Sequence, residues 1–405
     1  MKKVLVIGLG ASGLAVVEYF LKKRVEVVCV NRALKEGFDL CPLFRDDHEF
    51  EVFDFDLIVV SPGVSPDNVL YRRALAEGVE LIGEAELALR EMRKNKIVGI
   101  TGSNGKSTTV TRIAHILNQN GMRARALGNI GTPLISVVDQ LEEDEIIVAE
   151  LSSFQLEMMK AKVFDLAMIL NVSPNHLDRH VTMENYFLAK RKIGECVKEG
   201  GRFAIEGGVV KEYAAHLDNF SYLVLKEDLM EFVKLACKEF GLSDEEILEG
   251  DKSFKSLPHR LEFVRDVQGV HCYDDSKATT MEAVSYAVKT IGKDIILIAG
   301  GRHKGGSFSV WNESFPKKVK AIILLGEAKN VIASELKLAI PIYLVDSLDE
   351  AIEKGLQLAV RGDNLILSPG CSSYDMFTNF EKRGEAYKRG LENESKRYDP
   401  DCSSC

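Results

Sequence analysis

The chain has 405 residues, of which 46% are hydrophobic and 28% charged, and its formal net charge is −9. That length predicts two or three globular domains, each large enough to bury its own core. The acidic balance argues against DNA or RNA as a partner, because a surface that binds a polyanion is normally basic. No apolar stretch approaches the roughly 18 residues of a membrane-spanning helix, so no membrane partner is expected.

Cysteine usage predicts a reducing compartment and hence a cytoplasmic protein. Several cysteines lie inside apolar, strand-like runs, where a reduced thiol packs as a small hydrophobe. Cys402 and Cys405 have the spacing of a metal-binding pair, but without a second pair a frayed terminus is the simpler interpretation. The apolar run after Met1 is interrupted by glycines, so we interpret it as a first strand rather than a signal peptide.

Short β-rich runs alternate with helix-like stretches, which is typical of an α/β fold with mainly parallel sheets. A charged, helix-like linker near residues 84–96 ends a first segment, and a third segment begins after Leu257-Pro258. We therefore predict three domains, at residues 1–91, 92–256 and 257–405. The predicted strands are 4–7, 25–30, 57–60, 146–149, 167–171, 295–299, 321–325, 342–345 and 365–367.

The first predicted strand is followed directly by the glycine-rich sequence 8–13, Gly-Leu-Gly-Ala-Ser-Gly, which matches the dinucleotide-binding fingerprint. An NAD site would require Asp or Glu after the second strand, where Asn31 and Arg32 stand instead. The loop can still wrap a diphosphate. A second turn, Ser61-Pro62-Gly63-Val64, follows the strand 57–60 at the same sheet edge, although a purely structural turn would have the same residues.

The middle segment opens with a strand, a glycine-rich loop and a helix-like stretch. Glycines let backbone N–H groups turn towards phosphate oxygens, and the helix N-terminus adds a favourable dipole. Lys106 would reach the outer phosphates of a nucleoside triphosphate, and the Ser107 hydroxyl would bind Mg²⁺. Ile100 stands where the general pattern has its first glycine, so a structural strand–helix turn is the alternative. The predicted ATP-binding residues of the loop are Gly102, Ser103, Asn104, Gly105, Lys106, Ser107 and Thr108.

Three more side chains of the middle segment are candidates for metal and phosphate chemistry. Glu150 directly follows the strand 146–149, and acids at such strand ends commonly hold Mg²⁺, although an acid can also simply precede a helix. His176 follows the next strand, where a histidine alone would usually be a surface residue. Lys190 lies in a helix that starts near Thr182, and its own surroundings favour a solvated helix face.

Together these motifs resemble the Mur ligase family, the ATP-dependent amide ligases of peptidoglycan assembly. The resemblance covers nearly the whole chain, and the last motif separates the glutamate-adding member from its relatives. The motifs are 8–13 with 61–63, 101–108, 128–131, 150–155, 175–179, 186–190, 257–260, 275–279, Gly300-Gly301 with Lys304, and 368–384.

The resemblance implies an N-terminal Rossmann-like domain that binds the UDP part of the substrate, a central P-loop ATPase-like domain that binds ATP and Mg²⁺, and a C-terminal Rossmann-like domain for the amino acid. The implied reaction joins D-glutamate to UDP-N-acetylmuramoyl-L-alanine through an acyl phosphate. Two Mg²⁺ ions and a CO₂-derived carbamate on Lys190 are also implied. We expect a monomer, because each domain is large enough to fold by itself.

The resemblance also carries roles for individual residues. Those implied to be catalytic are Lys106, Glu150, His176 and Lys190, and the implied metal ligands are Ser107, Glu150, His176 and carbamylated Lys190. Those implied for the UDP substrate are Gly10, Ala11, Ser12, Gly13, Asn31, Arg32, Ser61, Pro62 and Gly63, with Asn129, Ser152 and Gln155 at the sugar-peptide. Those implied to close over ATP are Arg260, Asp275 and Lys277, and those for D-glutamate are Thr279, Lys304, Ser373 and Phe380.

The chain departs from the family in the second half of the middle segment. Most relatives carry a Gly-x-His-Asn-x-x-Asn stretch whose asparagines meet adenine, whereas residues 224–231 here read Val-Leu-Lys-Glu-Asp-Leu-Met-Glu and the segment is shortened. Adenine must therefore be held in another way. Asp274, where relatives often have Asn, and Thr280 are smaller departures.

Three other functions remain alternatives at this point. A nucleotide-dependent switch or ATPase does not account for the motifs 275–279 and 368–380. A nicotinamide oxidoreductase needs an acid at position 31. A related ligase with another amino-acid substrate, such as a folylpolyglutamate synthase, lacks a UDP-binding first domain.

Overall fold

The structure is a computed structural model in which residues 1–34, 37–45, 50–92, 94–303 and 305–398 are described. The chain folds into two compact units, Met1–Phe254 and Lys255–Cys405. Each of the three segments predicted from the sequence contains one β-sheet in its described part. The predicted α/β architecture with mainly parallel sheets is thus confirmed, while the domain boundaries remain predictions.

The described residues of the N-terminal segment form one sheet of five parallel strands. Alternate residues of its central strand pack into two different cores, one on each face of the sheet, as in sheets covered by helices on both sides. The strands are β1 (Lys3–Ile7), β2 (Glu26–Asn31), β3 (Leu43–Arg45), β4 (Leu57–Val60) and β5 (Leu81–Gly83). Their spatial order is β3-β2-β1-β4-β5.

The helices of this segment are α1 (Ala11–Lys22), α2 (Val69–Glu77) and α3 (Glu84–Glu91). Helix α1 packs closely on the loop after β1, because a Cβ atom on Gly13 would lie 1.9 Å from the Gly8 carbonyl oxygen. Gly13 is therefore required for packing. Asn68 caps the N-terminus of helix α2, and its side chain accepts from the N–H groups of Leu70 and Tyr71.

Helix α3 confirms the predicted helical stretch, but its acidic face is buried rather than solvated. Glu84 is 2% exposed, and its Oε1 accepts from the N–H group of Ile135 at 2.8 Å. Glu86 accepts from the N–H group of Lys160 at 3.1 Å and pairs with Arg90. The helix therefore joins the first sheet to the central segment through backbone donors. Burial raises the pKa of Glu84 to about 7.

Six parallel strands form the sheet of the central segment within the described residues. They are β6 (Lys96–Thr101), β7 (Ala124–Gly128), β8 (Ile146–Glu150), β9 (Phe164–Ile169), β10 (Val197–Glu206) and β11 (Leu223–Leu225). Their order is β11-β10-β9-β6-β8-β7, so β6 lies between β9 and β8. Strand β9 ends two residues before the predicted Asn171.

The helices of the central segment are α4 (Lys106–Gln119), α5 (Ser153–Glu157), α6 (Leu177–His180), α7 (Met183–Glu195), α8 (Gly207–Tyr213), α9 (Leu229–Glu239) and α10 (Asp244–Asp251). Helix α7 begins where the sequence predicts, because the Thr182 hydroxyl accepts from the N–H group of Asn185.

The second unit contains one sheet of six strands in its described part. These are β12 (Glu262–Val267), β13 (Val270–Asp274), β14 (Ile295–Gly300), β15 (Val319–Leu325), β16 (Ile342–Leu344) and β17 (Asn364–Leu367). Their order is β12-β13-β17-β14-β15-β16, and only the β12–β13 pair among these described strands is antiparallel. The four strands predicted here from the sequence are confirmed within two residues at each end.

The helices of the second unit are α11 (Met281–Ile291), α12 (Trp311–Ser314), α13 (Lys329–Glu335), α14 (Leu348–Leu358) and α15 (Phe380–Tyr398). Trp311, the chain's single tryptophan, is fully buried in one of the unit's two cores. Its ring stacks on Phe315 and its indole N–H donates to the Met281 carbonyl oxygen at 2.9 Å.

The described cysteines, at positions 29, 41, 196, 237, 272 and 371, all have free thiols. Cys402 and Cys405 lie outside the described residues. Among the helices that the structure describes, none combines the length and apolar character needed to cross a membrane.

Candidate active site

The glycine-rich loop of the central segment connects β6, in the middle of its sheet, to the N-terminus of α4. Gly105, with φ 78°, directly precedes the helix and has no side chain to cap its first N–H groups. A Cβ atom there would lie 2.8 Å from Leu229. Both the backbone angle and the crowding require glycine. Lys106 bends back over the loop and donates to the carbonyl oxygens of Gly102, at 2.7 Å, and Ser103, at 3.0 Å.

A second loop, which follows β9, holds the glycine-rich loop in shape. The side chain of Asn171 accepts from the N–H groups of Ser103, at 3.0 Å, and Asn104, at 2.8 Å, and donates to the Asn104 carbonyl oxygen. The Ser103 hydroxyl donates to the Ser173 carbonyl oxygen. Ser103 and Asn104, predicted to bind ATP, are thus occupied by loop contacts in this conformation. The sequence reasoning missed Asn171.

Glu150 ends β8 beside the start of α4. Its Oε2 accepts from the Ser107 hydroxyl at 2.5 Å, and its Oε1 accepts from the side chain of Asn129 at 3.0 Å. Ser107 and Glu150 are both almost fully buried. The structure thus brings together the hydroxyl and the carboxylate that the sequence predicts as metal ligands. It adds Asn129, which the family resemblance assigns to the sugar-peptide instead.

Lys190 is the most deeply buried charged side chain of this group. It is 1% exposed, so the solvated helix face that its surroundings favour is wrong. Its Nζ donates to the Gly102 carbonyl oxygen at 2.8 Å and lies 4.4 Å from the centre of the Tyr186 ring. Burial, followed by the positive charge of Lys106, lowers the pKa of Lys190 well below its usual value, against the opposing effect of Glu150.

His176 directly precedes α6, with a left-handed backbone at φ 55°, and its side chain is exposed. Its ring lies 4.9 Å from that of Phe154 and 6.3 Å from that of Tyr186. Tyr186 therefore contacts both His176 and Lys190. His180, which the sequence reasoning missed, is buried and bonded through Nε2 to the Ser153 hydroxyl at 2.9 Å.

A cavity of about 570 Å³ lies at the carboxyl ends of β1, β2 and β4 in the N-terminal segment. The Asn31 side chain accepts from the N–H group of Leu9 at 3.0 Å and donates to the Ala33 carbonyl oxygen. The Ser61 hydroxyl donates to the Gly8 carbonyl oxygen at 2.7 Å. The predicted residues that line the cavity are Gly10, Ala11, Ser12, Asn31, Arg32, Ser61, Pro62 and Gly63; Gly13 is not among them.

Ser152 and Gln155, predicted at the sugar-peptide, form the start of α5. The Ser152 hydroxyl accepts from the N–H group of Gln155, and the Gln155 side chain accepts from that of Ser152 at 2.9 Å. This capping box fixes the direction in which α5 leaves the end of β8.

The second unit brings several of its predicted residues together. Asp275 is buried and accepts from the Ser368 hydroxyl at 2.6 Å and the N–H group of Leu261; burial raises its pKa to about 7. The Nζ of Lys277 lies 3.7 Å from the centre of the Phe380 ring. Ser373 is buried, and its carbonyl oxygen accepts from the N–H groups of Met376 and Phe377.

Arg383, which lies in the motif 368–384 but is assigned no role of its own from the sequence, connects the motifs of the second unit. Its Nε donates to the Ser276 hydroxyl, and its Nη2 donates to the carbonyl oxygens of Ser276 and Cys371. The Ser276 hydroxyl in turn donates to the Phe380 carbonyl oxygen at 2.8 Å. Burial lowers the pKa of Arg383 to about 10. Lys304 lies outside the described residues, and Arg260 and Thr279 are half-buried.

Three family models match the chain in order along its length. They are described as Mur ligase MurD-like N-terminal domain over residues 2–83, Mur ligase middle domain over 100–225, and Mur ligase glutamate ligase domain over 259–371. The chain belongs to the Mur ligase family.

Relatives of this Mur ligase match it over nearly its full length. The UDP-N-acetylmuramoylalanine–D-glutamate ligase of Protochlamydia amoebophila strain UWE25 is 38% identical, covering 96% of this chain and 97% of the relative. The protein of the same name from Chlamydia caviae is 35% identical, with 96% and 97% covered. Such matches make this Mur ligase an enzyme of the ligase class.

Solved structures share its fold. The MurF ligase of Thermotoga maritima, in complex with ADP, superposes with a TM-score of 0.59 over 97% of this chain and 95% of that chain, at 16% identity. The UDP-N-acetylmuramate-alanine ligase MurC of the same organism gives a TM-score of 0.56 over 97% and 100%, at 17% identity. At these identities the likeness concerns the fold alone.

Proposed function

We propose that this Mur ligase joins D-glutamate to UDP-N-acetylmuramoyl-L-alanine at the expense of ATP, in the synthesis of peptidoglycan precursors in the cytoplasm. The observation that carries the proposal is the group of side chains at the carboxyl end of the central sheet, in which Ser107, Glu150 and Lys190 are buried and Lys106 is half-buried. The names and near full-length match of the relatives supply the substrates.

The residues beside the glycine-rich loop suit Mg²⁺. A hydroxyl and a carboxylate, those of Ser107 and Glu150, lie in direct contact at a buried strand end, and Mg²⁺ prefers such hard oxygen ligands. We assign these two residues to the metal, and His176 and Lys190 to a further ion. Bound Mg²⁺ offsets the repulsion between the phosphates of ATP and the substrate carboxylate.

Lys190 suits carbamylation, because burial favours the neutral amine that reacts with CO₂. A bond then forms between Nζ and the carbon of CO₂, and the nitrogen loses one proton. The product carries one negative charge, shared by two oxygens, where an unmodified lysine would be neutral or cationic. Lys106 lies next to Lys190, so the two ammonium groups repel each other. Carbamylation of Lys190 would turn this repulsion into attraction between the Lys106 ammonium and the carbamate. A carbamate signal in the ¹³C NMR spectrum after addition of ¹³C-bicarbonate, absent from Lys190→Ala, tests this assignment apart from activity.

The ligation has two steps. The alanine carboxylate oxygen attacks the γ-phosphorus and ADP leaves; the D-glutamate amine then attacks the acyl carbon, loses a proton, and phosphate leaves. Lys106 and the first N–H groups of α4 stabilise the charge of the transferring phosphoryl group. We assign Gly102, Ser103, Asn104, Gly105 and Thr108 to phosphate positioning around them.

The N-terminal cavity is proposed to hold the UDP part. Its size suits a nucleotide, and Asn31 and Ser61 brace a loop whose glycines permit close approach of a diphosphate. Gly10, Ala11, Ser12, Arg32, Pro62 and Gly63 are proposed to line this site, with Gly13 in a packing role. Asn129, Ser152 and Gln155 remain assigned to the sugar-peptide.

The second unit is proposed to contribute Arg260, Asp275 and Lys277 to ATP, and Thr279, Ser373, Phe380 and Lys304 to D-glutamate. Because D-glutamate is anionic, a cation is expected among its contacts. Lys304→Ala should therefore raise the KM for D-glutamate at least about 10-fold and leave that for ATP nearly unchanged. Steady-state kinetics with each substrate varied in turn measure both; equal changes would contradict the role.

Phosphate release from ATP tests the proposed function as a whole. We expect release only when UDP-N-acetylmuramoyl-L-alanine, D-glutamate and Mg²⁺ are all present, with formation of the UDP-linked dipeptide seen by mass spectrometry. A set of other amino acids, including L-glutamate, L-lysine and L-alanine, serves as the control. Release without the acceptor would favour an ATPase, and preference for another amino acid would favour a different ligase. Gel filtration with light scattering tests the expected monomer.

A further inference from the structure

Arg179 contacts two parts of the first unit that the proposed function assigns to different tasks. Its Nη1 donates to the carbonyl oxygen of Pro62 at 3.0 Å and to that of Val64 at 3.3 Å. Both of these residues line the 570 Å³ cavity of the N-terminal segment. One end of the guanidinium is therefore bonded to the backbone of the turn that borders the cavity.

The other end of the guanidinium is bonded to the central segment. Nη2 donates to Glu157 Oε2 at 2.9 Å, and the guanidinium carbon lies 4.3 Å from the centre of the Phe154 ring. Glu157 also lies 3.4 Å from His180 Nδ1. The ring of Phe154 contacts that of His176. Arg179 thus reaches the loop that carries a proposed metal ligand.

The helix that carries Arg179 needs an external support. Helix α6 has four residues, and an isolated helix of that length is not stable in water. It lies between His176, with φ 55°, and Val181, with φ 67°, both in a backbone region that is unfavourable for side chains other than glycine. The contacts of Arg179 and His180 with α5 and with the Pro62 turn provide that support.

We propose that Arg179 is a positioning residue of the ligation reaction. It sets the turn at Pro62 and Val64 relative to the loop at His176, so that a substrate whose UDP part lies in the N-terminal cavity presents its carboxylate to the glycine-rich loop. This inference rests on the proposed function for the identity of that substrate. The geometric part, the coupling of the two segments through one side chain, does not depend on it.

The guanidinium group is required for this role. It donates to two carbonyl oxygens on one side and to a carboxylate on the other while its plane rests on an aromatic ring, and an ammonium group cannot make all four contacts. Arg179→Lys should therefore behave like Arg179→Met, whereas an added guanidinium salt should restore part of the activity of Arg179→Met.

Kinetics and hydrogen exchange together test the proposal. We expect Arg179→Met to lower kcat/KM for UDP-N-acetylmuramoyl-L-alanine about 30-fold, which is near 2 kcal/mol, while the Kd for ATP stays within about twofold. Exchange of backbone amides should become faster in 61–65 and 175–181 together. Arg191→Met is the matched control. Arg191, on α7, donates to Glu195 of the same helix and to the carbonyl oxygen of His216, and none of its contacts among the described residues is with 61–65 or 175–181.

Three results would overturn the positioning role. One is an unchanged kcat/KM in Arg179→Met, and another is an equal loss in Arg191→Met. The third is faster exchange in only one of the two segments, or throughout the unit, which would indicate a general loss of structure. If the unmodified enzyme does not ligate these substrates, the proposed function fails, and the exchange measurement alone decides whether Arg179 couples the two segments.

Discussion

Two glycine-rich loops of the first unit occupy equivalent places, each after a central parallel strand and before a helix, yet their surroundings differ. The loop after β1 borders an open cavity and is braced by the neutral side chains of Asn31 and Ser61. The loop after β6 is surrounded by ionisable groups, those of the half-buried Lys106 and the buried Glu150 and Lys190. Both loops have a backbone that could approach a diphosphate closely. Under the proposed function, the side chains around each loop would decide whether the phosphate is only held or also transferred.

Removing a cation from the loop after β6 should have the largest effect on the ligation rate. Lys106→Ala should lower the ligation rate at least about 1,000-fold, because a positioned charge in a dry site contributes several kcal/mol to the transition state. The fold should persist, since Lys106 is a half-buried residue at the N-terminus of α4 and belongs to none of the described hydrophobic cores. Phosphate release and circular dichroism measure the two expectations. A near-normal rate would contradict the assignment of this loop to phosphoryl transfer.

Replacing the buried lysine should have the next largest effect. Lys190→Ala should lose about 100-fold in rate, near 2.7 kcal/mol of transition-state stabilisation. Acetate should restore part of the rate by supplying the missing carboxylate. Lys211→Ala, an exposed lysine on α8, is the control and should be unaffected. A near-normal rate and Mg²⁺ dependence in Lys190→Ala would contradict both the metal and the carbamate assignments.

A charge placed beside the loop after β1 sharpens the comparison from the other side. Asn31→Asp keeps an acceptor for the Leu9 N–H group but loses the donor to the Ala33 carbonyl oxygen, and it brings a negative charge towards the cavity. We expect the KM for UDP-N-acetylmuramoyl-L-alanine to rise about 10-fold, near 1.4 kcal/mol, with little change in that for ATP. Asn31→Ser, which adds no charge, should have a smaller effect; an unchanged KM in both variants would remove Asn31 from the substrate site.

The smallest effect on activity is expected at helix α3, which joins the first sheet to the central segment, because a change there should act on stability instead. The pKa of Glu84 rises from 4.5 to about 7 in the folded state, so the folded state binds more protons between these values and stability falls as pH rises through that window. The contribution is about 3 kcal/mol at most. Glu84→Gln should therefore raise the melting temperature of the first unit at pH 8 and not at pH 4.5. Scanning calorimetry at the two pH values measures it, and an equal shift at both would contradict the burial argument.

Local sequence patterns predicted the α/β architecture and the strands on which the motifs lie. The strand, loop and helix around Lys106, and the acid at the end of β8, could be predicted from runs of adjacent residues, because local backbone geometry depends mainly on neighbours in sequence. The charged stretch at Glu84 was predicted as a helix, but its burial depends on backbone donors some 50 and 75 residues away, which periodicity does not reveal.

Residues whose contacts lie far away in the sequence could not be predicted from local patterns. Asn171 and Arg179 look like ordinary polar loop residues in the sequence, and only the folded chain shows which carbonyl and N–H groups they meet. Lys190 stands beside two other cations, a pattern typical of a solvated helix face, and its burial comes from the packing of α7 on β6. The burial and contacts of these side chains depend on residues that are distant in sequence, so sequence spacing does not predict them.

The position of Trp311 has a practical consequence. Since the chain has no other tryptophan and Trp311 is buried in a core of the second unit, intrinsic emission excited at the red edge reports that unit alone. Chemical denaturation followed by this emission therefore traces the unfolding of the second unit, while far-ultraviolet signals trace the whole chain. Separation of the two curves would give the independent stability of each unit from a single unlabelled sample.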